Sequence, residues 1–330
     1  MGSPSQPEFP VIRLESEPSP RASTYVMPTS RTRTPEPVGR SVALFCLTVI
    51  TTTLAGADHY ASFFAGFTTV DLPFSSWQLI VRGFWYSLSI LAILGAHEFG
   101  HYYACRYYKV EASLPYFLPM PFVLTGTLGA FIRIRQQIPS KRQLFDIGIA
   151  GPIAGFVVAL PVLMIGMYLS RVVAIPEDFE GTVFELGEPL LFQAAAWLRF
   201  GAIADGYTVS MHPMAFAAWF GMLATALNLF PMGQLDGGHI SYAVLGRRST
   251  LITAGTVVCL VGLTFVSSSW IVWTVLTVSM LLAFGPRHPR TDDEHVPLDR
   301  IRMWLAVFAL LMFIACFSPA PIELSLMGGP

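Results

Sequence analysis

Charge is scarce in this chain. Asp, Glu, Lys and Arg make up 12% of its 330 residues, against about 25% in soluble domains. That scarcity excludes an ordinary water-facing surface. The apolar residues, 53% of the total, gather in long stretches of the kind that cross bilayers. A net charge of -1 offers no basic excess, so no nucleic-acid partner is expected. Cysteine is equally sparse: Cys46, Cys105, Cys259 and Cys316 lie far apart, in apolar segments, and no C-x-x-C occurs. Four buried thiols are expected, with neither disulfides nor a cysteine metal site. Internal repeats are missing. The first 40 residues lack apolar runs and are rich in Pro, Ser, Thr and Arg. They read as a disordered cytoplasmic tail, without the apolar core of a secretory signal.

What is present is a series of seven apolar segments, near 41–57, 78–105, 145–170, 212–232, 250–266, 269–285 and 302–318. The fold class expected is an all-α polytopic membrane protein of about seven transmembrane helices, with a small membrane-associated β-hairpin or sheet. With the N-terminus cytoplasmic, 17 of the 20 basic residues fall on the inner side, Arg106, Lys109, Arg133, Arg135, Lys141, Arg142, Arg247, Arg248, Arg287, Arg290, Arg300 and Arg302 among them. That agrees with the tendency of basic loops to stay inside. The loop 172–211 reads as an acidic outside loop, with Glu177, Asp178, Glu180, Glu185 and Glu188. Within it, 189–204 suggests an amphipathic helix.

Segment 110–142 breaks the helical pattern. Pro115, Pro119, Pro121, Gly126 and Gly129 punctuate it, and 131–135 alternates as a strand does. It reads as a cytoplasmic-side β-hairpin. Backbone of this kind is tolerated at membrane depth only under cover of protein or beside a water-filled cavity. Residues Gly129, Ala130, Phe131 and Ile132 could offer a strand edge on which an unfolded substrate pairs; a purely structural hairpin is the competing reading.

The chemistry starts at His97-Glu98-Phe99-Gly100-His101. Residues four apart share a helix face, so His97 and His101 can chelate one ion. Zinc accepts imidazole and in catalytic sites takes three protein ligands. Glu98 stands where a general base would act on the water that attacks a carbonyl. Paired packing histidines are the plain alternative, but ionisable groups inside a spanning segment cost about 2.5–3.5 kcal/mol each, and three together need a reason. The third ligand expected is Asp236, at the cytoplasmic end of the fourth apolar segment; no other acid lies between Asp205 and Asp292. Asn228 is a polar residue in an apolar helix, suited to binding a substrate backbone or a developing oxyanion, or to joining helices. Gly148, Gly151 and Gly155 suggest close packing of the third helix. His212 reads as a cap or surface residue and His239 as a solvated position rather than a second layer around the metal. His59, His288 and His295 fall in expected loops.

These motifs make the chain identifiable as similar to a family. The H-E-F-G-H sequence, followed about 130 residues later by N-x-x-P-x-x-x-x-D-G-G from Asn228 to Gly238, resembles the site-2 protease family of intramembrane metalloproteases. Within it, the chain looks most like the branch without a PDZ domain, which has bacterial and plant chloroplast members of the ethylene-dependent gravitropism-deficient type. The likeness runs from about 80 to 318 and includes Ser113–Phe117, Gly126–Ala130, Asp146–Gly155 and His212-Pro213. The usual Asn-Pro pair is replaced by Asn228-Leu229, with Pro231 further on. The resemblance implies one zinc ion on His97, His101 and Asp236, Glu98 as base and Asn228 as a positioning residue. It further implies cleavage of membrane-protein substrates in the lipid bilayer by a metalloprotease domain over 41–320. A bacterial inner membrane is the expected location. A silent chaperone of the same fold and a metal-ion transporter are the rivals; the first conflicts with the intact motif, the second with the confinement of membrane carboxylates to Glu98 and Asp236.

Overall fold

The computed structural model describes residues 38–67, 72–121, 124–176, 181–285 and 289–327. The tail up to residue 37, together with Glu177, Asp178, Glu180, Arg287 and His288, lies outside the described residues.

Every apolar segment is helical. In chain order the helices are α1 (Val38–Ala65), α2 (Ser76–Tyr107), α3 (Lys141–Leu169), α4 (Leu190–Phe200), α5 (Pro213–Asn228), α6 (Asp236–Leu245), α7 (Ser249–Leu263), α8 (Ser269–Phe284) and α9 (Arg300–Cys316). Six short strands complete the described chain: β1 (Tyr116–Pro119), β2 (Thr127–Phe131), β3 (Arg171–Ala174), β4 (Gly181–Leu186), β5 (Tyr207–Ser210) and β6 (Ile322–Met327). By length and composition, four helical stretches can cross a membrane: α1, α2, α3 and the run Asp236–Leu263. The fold is therefore mostly helical with small sheets. Helix α5 has 16 residues and is about 24 Å long, short of the roughly 30 Å of hydrocarbon in a bilayer. It is buried along most of its length because α2 and α3 enclose it.

Small residues set these crossings. A side-chain carbon on Gly166 of α3 would lie 2.3 Å from the Ala215 nitrogen of α5, and one on Gly83 of α2 would lie 2.2 Å from the Thr53 oxygen of α1. Backbones this close leave room for nothing larger than glycine and maximise van der Waals contact, the main attraction between helices in lipid. Thr52 and Ser87 bond across the α1–α2 seam at 2.8 Å. Exposed aromatics mark the two ends of the body: Tyr103, Tyr107 and Trp304 at one, Trp77, Tyr168 and Trp197 at the other. This is how interfacial belts distribute.

The hairpin differs from expectation in depth. Strands β1 and β2 pair antiparallel, Tyr116 with Phe131 and Phe117 with Ala130. The expected strand at 131–135 begins earlier, at Thr127, and past Phe131 only an isolated Ala112–Ile134 bridge continues it. The hairpin extends along the helices from the Tyr107 end of α2. Its tip reaches Thr51 of α1, whose oxygen would be 2.6 Å from a side-chain carbon on Gly126. Further up, His59 of α1 meets the Leu124 carbonyl at 2.8 Å. His59 is thus helical and not in a loop. Two tip carbonyls find donors on the helices, Leu124 on His59 of α1 and Thr125 on Tyr86 of α2.

The stretch 172–211 is largely ordered into elements: β3 pairs with β5 and β4 with β6, and α4 lies inside the range 189–204. Of the four thiols, Cys105 and Cys316 are buried, while Cys46 and Cys259 are exposed on α1 and α7. All four are free. At the end shared by α2, α3 and α9, Arg302 forks onto Asp146, with contacts of 2.9 and 2.5 Å, and also contacts Asp299. The Tyr108 hydroxyl donates to the same Asp146 carboxylate at 2.5 Å. Segment 289–299 crosses the start of α3. Asp293 accepts from the Lys141 amide and the Ser140 hydroxyl, each at 2.8 Å, and the buried Lys141 ammonium donates to the Glu294 and Val296 carbonyls.

Candidate metal centre

Helix α2 brings the two histidines together by its own geometry. His97 and His101 are one turn apart on a buried face, with Nε2 atoms separated by 3.2 Å. The third member comes from a distant part of the sequence. After α5 ends at Asn228, residues 229–235 turn sharply and Asp236 opens α6 as its first residue. Asp236 was expected at the end of the preceding helix; the break at Pro231, which cannot continue a helix, gives it a helix of its own. Gly237 makes this possible. Its hydrogen faces the Leu229 oxygen, which a side-chain carbon would approach to 2.1 Å. The Asp236 Oδ2 atom stands 3.1 Å from His97 Nε2 and 3.2 Å from His101 Nε2.

The three donor atoms form a nearly equilateral triangle. Ligands about 2.0–2.2 Å from a tetrahedral zinc ion stand about 3.3–3.6 Å apart, so the triangle fits with a small adjustment. The chemistry fits as well. His101 Nδ1 donates to the Ile147 carbonyl at 2.7 Å, which assigns that ring the tautomer with a lone pair on Nε2. Two imidazole nitrogens and a carboxylate oxygen then face one another in a buried site, an arrangement suited to a cation. Among the described residues this is the one His/Cys/Asp/Glu group with such convergence.

Glu98 is buried beside the triad, near both rings and Asp236, and the Ile132 backbone amide lies next to its carboxylate. That contact joins the expected base to the residue just past β2. Strand β2 is paired with β1 on one side only, so Gly129, Ala130 and Phe131 lie on a strand whose other edge has no ladder among the described residues. Asn228 brings its amide to 3.2 Å from His97 Nε2.

Helix α3 forms the back wall. A side-chain carbon on Gly151 would lie 2.0 Å from His101 Nε2; one on Gly155 would sit 3.1 Å from His97 Cβ, and one on Gly148 3.0 Å from His239 Cβ. The glycine stripe, expected to pack helices, packs a helix directly against the two rings. His239 is half-buried, with its Cβ against Gly148. His212 caps α5, its Nδ1 accepting from the Met214 amide at 3.3 Å, and is buried. The sequence reading missed Ile147, whose contribution is a backbone carbonyl with no residue-type signal; Ile132, expected on the strand edge, also lies beside Glu98.

Comparison with known proteins adds an independent finding. The family model described as Peptidase family M50 matches residues 85–268, more than half of the chain. The chain is 28% identical over 256 residues to "Probable zinc metalloprotease EGY2, chloroplastic" of Arabidopsis thaliana, covering 77% of this chain and 45% of that protein. It is 36% identical over 177 residues to "Probable zinc metalloprotease EGY1, chloroplastic" of Oryza sativa subsp. japonica, covering 53% of this chain and 30% of the relative. The chain thus spans less than half the length of these relatives. Their names place them in chloroplasts, whereas the sequence alone suggested a bacterial inner membrane.

Proposed function

Since the chain belongs to peptidase family M50, we propose that it is a membrane-embedded zinc endopeptidase that hydrolyses peptide bonds within or beside the membrane segments of other proteins. The observation that carries this reading is the convergence of His97, His101 and Asp236 beside Glu98, inside an apolar body of helices. Zinc, when bound, supplies Lewis acidity and an activated water.

The chain's own groups take the remaining roles. His97, His101 and Asp236 hold the ion, and the Ile147 carbonyl keeps His101 oriented. Glu98 accepts the proton released as the peptide carbonyl is attacked, and passes it to the leaving amine. The Ile132 amide, next to the Glu98 carboxylate, favours its charged form for this. Asn228 donates its amide to a substrate carbonyl next to the ligands. The edge of β2 takes the substrate as an added strand, which requires the substrate helix to unwind and bares the scissile amide. The surrounding apolar side chains exclude competing water.

Helix α2 supports a site within the membrane and toward one face. His101 lies six residues and His97 ten residues before the helix ends at Tyr107, which puts them about 9 and 15 Å from that end. Basic residues Arg106, Lys109, Lys141, Arg247, Arg248 and Arg300 flank helix ends on the same side, which supports a cytoplasmic side there and a cytoplasmic N-terminus. The test is cleavage of a membrane-anchored model substrate by wild type and Glu98→Gln, with zinc content measured in both. Equal zinc and a loss of about 10²–10⁴-fold in rate are expected. Unchanged cleavage by Glu98→Gln would falsify the assignment.

A further inference from the structure

Helix α1 lies outside the metal centre, yet it grips the hairpin that leads there. The His59 ring donates through Nε2 to the Leu124 carbonyl at 2.8 Å. The buried Tyr86 hydroxyl of α2 donates to the Thr125 carbonyl, also at 2.8 Å. The two donors touch each other and share a backing: ring centres are 5.0 Å apart for His59 and Tyr86, and 4.2 Å for His59 and Phe216 of α5. Two successive carbonyls are therefore held by two rings from two helices, with a third helix behind them.

The grip is continuous with the active groups. From Thr125 the chain passes Gly126, wedged against the Thr51 backbone, into β2 at Thr127–Phe131. Just past β2, Ile132 lies next to Glu98. The Thr125 hydroxyl bonds the Thr127 carbonyl at 2.6 Å, and the Thr127 hydroxyl bonds the Leu118 carbonyl across the hairpin at 2.9 Å, so the tip and the strand are stiffly coupled. Sliding the tip along α1 would move β2 along its own axis. A strand partner reads its register from that axis, and a shift of one residue exchanges the faces of every side chain.

We propose that His59 and Tyr86 are positioning residues: together they brace the hairpin tip and so fix the register in which β2 presents a substrate to Glu98. The brace rests on the reading of β2 as the strand that accepts substrate. A structural role alone would stabilise the fold; a brace acts on substrate register in an intact, zinc-loaded protein.

The experiment uses the full chain in detergent or lipid discs, with His59→Ala, His59→Gln and Tyr86→Phe. Glutamine places an amide donor near the position of Nε2 and is the rescue variant. Two readouts are taken: deuterium exchange of amides over 124–135, which needs no catalysis, and KM and kcat on a membrane-anchored substrate. Leaving a carbonyl unpaired is expected to speed exchange in β2 by about 5- to 10-fold in His59→Ala and Tyr86→Phe. KM should rise by a similar factor, with zinc content unchanged and kcat lowered less. His59→Gln should behave like wild type in both readouts. The brace is overturned if Tyr86→Phe, the mildest change, leaves exchange and KM unaltered. It is also overturned if His59→Gln is as defective as His59→Ala, since ring packing would then be what matters. Should the wild type cleave nothing, the peptidase reading fails, while exchange still decides whether the tip is braced.

Discussion

Alanine in place of Gly151 tests how the metal centre is supported. A side-chain carbon there would stand 2.0 Å from His101 Nε2, 2.4 Å from Cδ2 and 2.5 Å from Cε1. Comfortable contact between such atoms begins near 3.5 Å, so the ring or the helix must yield by more than about 1 Å. If α3 moves as a whole, the strain costs about 1–3 kcal/mol and the Ile147 carbonyl leaves His101. If the ring swings instead, its Nε2 leaves the triangle. Either way the ligand moves beyond the roughly 0.5 Å that such a site tolerates, and zinc affinity should fall by about 10–100-fold. The neighbouring glycines provide the contrast. Gly155 and Gly148 leave 3.1 and 3.0 Å to the nearest side-chain atoms, so alanine there asks for shifts of a few tenths of an ångström and should cost less than about tenfold. The assay is zinc per chain by mass spectrometry after dialysis against a weak chelator, with cleavage rate in parallel. A pure helix-packing stripe would give three similar losses. Similar losses, or a Gly151→Ala variant that keeps its zinc, would refute the argument.

Gly237→Ala should destabilise the protein by about 1–3 kcal/mol, because the added carbon meets the Leu229 and Phe230 carbonyls at 2.1 and 2.5 Å. Gly255→Ala, in mid-α7 with open space around it, should gain up to about 1 kcal/mol; denaturant unfolding of the two variants in one detergent compares them. Asp293 predicts an acid sensitivity. Partial burial raises its carboxyl pKa, but the Lys141 amide and Ser140 hydroxyl outweigh this and hold it below the usual value. A lowered folded value stabilises above the unfolded pKa of about 3.9, and that contribution disappears as the pH falls through the folded value. Proteolysis within 289–299 should therefore rise below about pH 4 in wild type, and Asp293→Asn should show the raised susceptibility already at pH 6, with a flatter profile. An unchanged pH profile in Asp293→Asn would assign the hold on this segment to other contacts.

Much of the site was legible because its signals are local. The i, i+4 pairing of His97 and His101 is a property of one helix, and an acid as isolated as Asp236 stands out in apolar sequence. Helices α2 and α3 differ from the expected segments by few residues at either end, since apolar runs of that length admit little else. The misreadings share a physical cause. Asp58 and His59 end the apolar window of α1, yet the helix runs on to Ala65, because helical backbone needs no apolar side chain. Pro and Gly mark where a hairpin turns, but nothing in 110–142 states how deep the turn reaches; donors on α1 and α2 decide that. Pairing of β4 with β6 joins residues about 140 apart, beyond any local pattern. The glycine stripe announced close approach without naming the ring it approaches.

Zinc K-edge X-ray absorption on the purified protein reads the proposed ligand set itself. One zinc per chain is expected, with two imidazoles and carboxylate oxygen at about 2.0–2.2 Å and no bound sulfur, and Asp236→Ala should lose the ion or replace that oxygen with solvent. A sulfur shell at about 2.3 Å, or an Asp236→Ala spectrum identical to wild type at full occupancy, would contradict it.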